Sequence, residues 1–92
     1  MNDGATSLFI ASQYGHLDVV RELLDNDANI EAAYNNGYTP LLQASFMGHI
    51  HVVRALLDAG ANNRHVANNG ATARSVAGTN SRKKILHLLP AP

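Results

Sequence analysis

Apolar residues in this chain fall at helical spacing, and then do so again. Leu17, Val20, Leu23 and Leu24 stand at i, i+3, i+6 and i+7, and Ile50, Val53, Leu56 and Leu57 repeat the set 33 residues later. That spacing draws one buried stripe along a helix. It predicts helices over Leu17–Asn26 and Ile50–Ala59, with Arg21, Glu22 and Asp25 turned toward water. Ahead of each runs a shorter stretch of small and apolar residues, predicting helices over Thr6–Tyr14, Thr39–Met47 and Thr72–Ala77. A last helix is expected over Arg82–Leu89, ended by Pro90 and Pro92, since proline cannot continue a helix.

Start and stop signals keep the same register. Asn2-Asp3-Gly4, Asn35-Asn36-Gly37 and Asn68-Asn69-Gly70 carry turn chemistry: glycine and asparagine accept positive φ, and Asn or Asp side chains bond their own backbone. Thr6, Thr39 and Thr72 then sit where an N-cap belongs. Pro40 follows Thr39 at the first helical position, where its missing N–H costs nothing; Ser7 and Ala73 stand there in the other two units, so those starts are less pre-set. Gly15 and Gly48 read as helix stops, with Ser81 at that place in the third unit and Gly78 nearby. The chain therefore divides into one array of three units, 1–34, 35–67 and a shortened 68–92. A gapless internal period of this length marks a repeat architecture, in which each unit buries its apolar face on its neighbour.

The order of residues in the middle unit is Gly37-Tyr38-Thr39-Pro40-Leu41, then Ala44, Gly48-His49, Val52-Val53, Leu56-Leu57 and Gly60-Ala61. It resembles the ankyrin repeat, and with the flanking units the resemblance covers nearly the whole chain. It implies an all-α fold: a stack of antiparallel helix pairs with projecting β-turn fingers. It also implies protein binding through a concave face made by the finger tips and first helices. Three departures carry expectations. The family's histidine after Pro-Leu, which ties one repeat to the next, is Phe9, Leu42 and Ser75, so apolar packing is expected in place of those bonds. The asparagine that braces the finger is Glu31 or Arg64, which predicts looser fingers. Unit one begins at its turn without a polar capping helix, so an apolar end around Phe9 and Leu24 is expected to be exposed.

Composition adds little to the fold and more to the chemistry. No cysteine is present, which removes disulfides and thiolate chemistry and fits a reducing, intracellular (cytoplasmic) compartment. No signal peptide or membrane-length apolar run is evident. The net charge of zero hides a gradient of −5, +1 and +4 over the three units, a feature that bears on association. Among the five histidines, His16 and His49 fill the Gly-His slot, structural in the resembled family. His49 and His51 diverge on a helix, and His65 and His87 lack ligand-spaced partners. A zinc site needs three or four converging ligands, so neither metal nor cofactor is expected. Serines near histidines (Ser12 with His16, Ser45 with His49) read as link residues. There is no nucleophile elbow, phosphate loop or paired carboxylate, and the chain reads as no enzyme. Arg82-Lys83-Lys84 reads as the solvated face of the last helix, and without interleaved aromatics it does not point to nucleic acid.

The aromatic residues are more informative. Tyr34, Asn36 and Tyr38 belong to the second finger, and Tyr14, Phe46 and Met47 end first helices. By the resemblance these six positions face the groove, and exposed Tyr, Phe and Met are common at interface hot spots; the competing reading is local packing between fingers. Phe9 is assigned to the inter-repeat core. Two functions remain: a module binding a partner protein or peptide through its concave face, or a structural scaffold, either a piece of a longer array or an engineered repeat protein. The chain is expected to be mainly monomeric with weak head-to-tail self-association, and no nucleic acid or membrane partner is expected.

Overall fold

The computed structural model describes residues 4–77 and 82–89. The turn at Asn2-Asp3, the link around Gly78 and Ser81, and the terminal prolines lie outside them. Six helices fall into three successive pairs: α1 (Gly4–Tyr14) with α2 (Leu17–Asp25), α3 (Pro40–Met47) with α4 (Ile50–Asp58), and α5 (Ala73–Val76) with α6 (Arg82–Leu88). First helices pack side by side as one layer, α1 on α3 on α5, and second helices as another, α2 on α4 on α6. The stack measures 32 × 26 × 20 Å.

Caps define the starts where the sequence enforces them. Thr39 is extended, at φ −85° and ψ 168°, and its Oγ1 accepts from the Leu42 amide at 3.3 Å. Pro40 makes this boundary firm, because proline disfavours the helical region for the residue before it and pushes it to the extended one. Thr72 caps through a reciprocal pair: its Oγ1 accepts from the Ser75 amide, and Ser75 Oγ accepts from the Thr72 amide at 2.8 Å. Ser75, one of the residues replacing the family histidine, thus has a local job. The expectation for Thr6 needs correction. Helix α1 begins at Gly4 and runs through Thr6: Thr6 has neither the proline that follows Thr39 nor the serine that pairs with Thr72, since Ser7 and Phe9 stand at those places. Helix α5 is shorter than predicted, four residues only. Helices α1 and α3 end as expected, with Gly15 and Gly48 left-handed at φ 71° and 78°. At Gly15 the choice is doubly constrained: a Cβ there would lie 2.7 Å from the His49 ring.

Between the layers sits a continuous core that includes Leu8, Val20, Leu41, Leu42, Val52, Val53, Leu56 and Ile85. Full burial of each such side chain contributes about 1.5–3 kcal/mol. Of the two predicted stripes, Val20, Val53 and Leu56 are fully buried, while Leu17, Leu23, Leu24, Ile50 and Leu57 are half-buried.

Candidate protein-binding face

The fingers are held by backbone bonds and by one asparagine side chain each. In the second finger the Tyr34 amide donates to the Tyr38 carbonyl at 2.8 Å, the Gly37 amide to the Tyr34 carbonyl at 2.8 Å, and the Tyr38 amide to Asn36 Oδ1 at 2.9 Å. The next finger repeats this from Ala67 to Ala71, with Asn69 Oδ1 in the place of Asn36 Oδ1. Neighbouring fingers are tied as well: the Asn68 amide donates to the Asn36 carbonyl, and Asn68 Nδ2 to the Asn35 carbonyl, both at 3.1 Å.

The expected looseness at Glu31 and Arg64 is not found. Asn29 Oδ1 accepts from the Glu31 amide and Asn62 Oδ1 from the Arg64 amide, each at 3.0 Å. The Glu31 carboxylate reaches the next unit, accepting from the Asn62 amide at 2.6 Å. A carboxylate on a backbone N–H is a strong form of hydrogen bond, so Glu31 works as a strut. Two histidines add bonds of this kind, His49 between units one and two and His65 between the two ends of unit two. His49 Nε2–H donates to the Gln13 carbonyl at 2.9 Å, and His65 Nε2–H to the Gly37 carbonyl at 2.8 Å. Polar bonds between units are therefore present, carried by side chains other than the family's usual histidine. The spacing of 28 residues between Gly37 and His65 gave no sequence signal for the second of these.

On this frame the six predicted site residues are placed as follows. Tyr14, at the end of α1, is 61% exposed; Phe46 and Met47, at the end of α3, are 55% and 44% exposed. Asn36 is exposed at the finger tip, with its side chain engaged on Tyr38. Tyr34 is exposed on one face and stacks with the other on Phe9, ring centroids 4.9 Å apart at 17°. Tyr38 is half-buried and packs against the core. Phe9 itself is buried, but it closes onto the finger through Tyr34 and does not join the continuous core. Tyr14 and His16 tilt together at 6.2 Å.

Charge is distributed unevenly around this face. Helices α1 and α3 contain no charged residue, whereas α2 holds Asp18, Arg21, Glu22 and Asp25, and α4 holds Arg54 and Asp58. The first-helix layer thus presents aromatic, thioether and amide groups, with Gln43 Nε2 donating to Gln13 Oε1 at 3.3 Å between units.

The profile of a family described as Ankyrin repeats (3 copies) matches residues 1–67. The chain belongs to the ankyrin repeat family. No curated protein matches it. Ankyrin repeats are in general protein–protein interaction modules and typically non-enzymatic, and the six-helix stack is their all-α architecture. No helix among the described residues is long and apolar enough to cross a membrane, and no three His, Asp or Glu side chains among them gather as a metal site would require.

Proposed function

We propose that this ankyrin chain is a non-enzymatic module that binds an apolar segment of a partner protein or peptide on its concave face. Tyr14, Phe46 and Met47 form the apolar part of the site, with Tyr34, Asn36 and Tyr38 along the finger side. The observation carrying the reading is that large apolar groups stand exposed on first helices that bear no charge. Water-exposed aromatic and thioether surface gains most from burial, and an uncharged floor favours a partner's apolar side chains over a charged stretch.

Selection from a displayed peptide library on the immobilised chain tests this. Selected peptides should be rich in apolar residues. Phe46→Ala should weaken their binding by about 2 kcal/mol or more, the range of a hot spot, with the circular dichroism unchanged. Arg54→Ala, on the second-helix layer, should leave binding as it was. Peptides that bind Phe46→Ala and Tyr38→Ala as tightly as the parent would move the site elsewhere.

A further inference from the structure

Two Asn–Gly steps lie in the fingers, Asn36–Gly37 and Asn69–Gly70. The pair favours a turn, and it also carries a reaction. A deprotonated glycine nitrogen can attack the preceding asparagine's side-chain carbon, and glycine has no side chain to block the approach. Both asparagines are exposed, so water reaches them. In the closed turn the reacting groups are engaged elsewhere. The Gly37 amide donates to the Tyr34 carbonyl at 2.8 Å, and the Gly70 amide to the Ala67 carbonyl at 2.9 Å. A hydrogen bond made by the neutral form of a group opposes its ionisation, so these nitrogens keep their protons. Asn36 Oδ1 accepts from the Tyr38 amide at 2.9 Å and Asn69 Oδ1 from the Ala71 amide at 3.0 Å, which pins each carboxamide.

Asn36–Gly37 is also held from a second direction. His65 Nε2–H donates to the Gly37 carbonyl at 2.8 Å. The Asn68 amide donates to the Asn36 carbonyl, and Asn68 Nδ2 to the Asn35 carbonyl, both at 3.1 Å. Gly37 packs so closely here that a Cβ on it would lie 2.7 Å from Asn68 Oδ1 and 2.8 Å from the Asn68 nitrogen. His65 and Asn68 both come from the segment between α4 and α5, which therefore lies over the step. To free the Gly37 nitrogen, the turn must break its own bonds and those from this segment. A local opening becomes rarer with every native bond it must break.

We propose that Asn36–Gly37 is a latent modification site, converted without an enzyme to aspartate and isoaspartate, and that His65 and Asn68 form the latch that sets its rate. When the step opens, the Gly37 nitrogen loses its proton and bonds to Asn36 Cγ. The Cγ–Nδ2 bond breaks, the proton ends on the leaving nitrogen, and ammonia departs from a cyclic imide. Water then adds at either imide carbonyl. Opening at the side-chain carbonyl gives aspartate, and opening at the main-chain carbonyl gives isoaspartate. One water is consumed and one ammonia released. Isoaspartate routes the main chain through the β-carbon, which inserts one atom into the finger. That shift displaces the carbonyl that accepts from the Asn68 amide and the oxygen that accepts from the Tyr38 amide, so the product does not latch again. The site does not depend on what the concave face binds.

Incubation of the full chain in mildly alkaline buffer, with peptide mapping by mass spectrometry, follows both steps in one sample. Each conversion exchanges an NH2 group for OH, and fragmentation separates isoaspartate from aspartate. In the folded chain Asn36 should convert about tenfold or more slowly than in the urea-unfolded chain, where the finger is open. His65→Ala should speed Asn36 by about three- to tenfold, the reach of one hydrogen bond, while Asn69 in the same molecules keeps its parent rate. If His65→Ala loses its circular dichroism signal, Asn68→Ala, which removes the bond to the Asn35 carbonyl, must give the acceleration at Asn36. Equal rates for Asn36 in the folded and unfolded chains would overturn the proposal, as would no conversion at Asn36 in urea. So would a folded His65→Ala that leaves Asn36 unchanged, or that speeds Asn36 and Asn69 alike, since the reaction would then run through global unfolding.

Discussion

Helices α2 and α4 carry nearly the same sequence, Leu-Asp-Val-Val-Arg-Glu-Leu-Leu-Asp and Ile-His-Val-Val-Arg-Ala-Leu-Leu-Asp, yet they are different structural objects. Helix α4 lies between α2 and α6 and buries Val52, Val53 and Leu56; among the described second helices α2 packs on α4 alone, and it buries Val20. The same residues in the same register therefore contribute unequally to stability. A repeat stack is close to a one-dimensional chain of interfaces, and a residue's burial depends on how many of those interfaces its unit makes.

The largest test of this comparison is a pair of truncations. Leu56→Ala should cost about 2–5 kcal/mol from transfer and cavity terms, whereas Leu23→Ala, at the same register but half-buried, should cost about 1 kcal/mol. Urea unfolding of both variants measures the difference, and equal losses would break the comparison. A smaller effect is expected from the histidines. His49→Ala removes the bond to the Gln13 carbonyl and empties the space over Gly15; it should cost about 1–2 kcal/mol. His16→Ala should stay within about 0.5 kcal/mol. A large loss at His16 would mean that its exposed ring holds the Tyr14 end of α1 in place. The smallest effect concerns the bend after each second helix, where Asp27 stands at φ 64° and Gly60 at φ 96°. A left-handed conformation costs a side-chain-bearing residue about 1–2 kcal/mol, and glycine adds about 0.5–1 kcal/mol of chain entropy. Asp27→Gly should therefore raise stability by only about 0.5 kcal/mol, seen as a higher urea midpoint. A lower midpoint would show that the Asp27 side chain contributes to the bend.

Much of the fold was legible because its signals are local. The second helices followed from the leucine and valine spacing, and the Thr39–Pro40 start from the restriction proline places on the preceding residue. Thr6 was misread because the sequence pattern copies the cap position without the proline that follows Thr39 or the serine that pairs with Thr72. The exposure of Tyr14, Phe46 and Met47 was legible through the resemblance, which puts those positions at the surface. Tyr38 illustrates the limit, since its half-buried place against the core comes from contacts that its neighbours in sequence do not specify.

By itself, the sequence determined the period, the helix pairs and the caps at Thr39 and Thr72, because each depends on a few residues acting within one or two turns. Only the tertiary structure decided which copy of a repeated residue is buried and which bonds join the units. The struts from Glu31 to Asn62 and from His49 to Gln13 depend on distances that only stacking sets, and the bond from His65 to Gly37 on how unit two folds back on its own finger. The exposure of Val19 beside the burial of Val52 has the same origin: an identical residue meets a neighbouring unit in one case and water in the other.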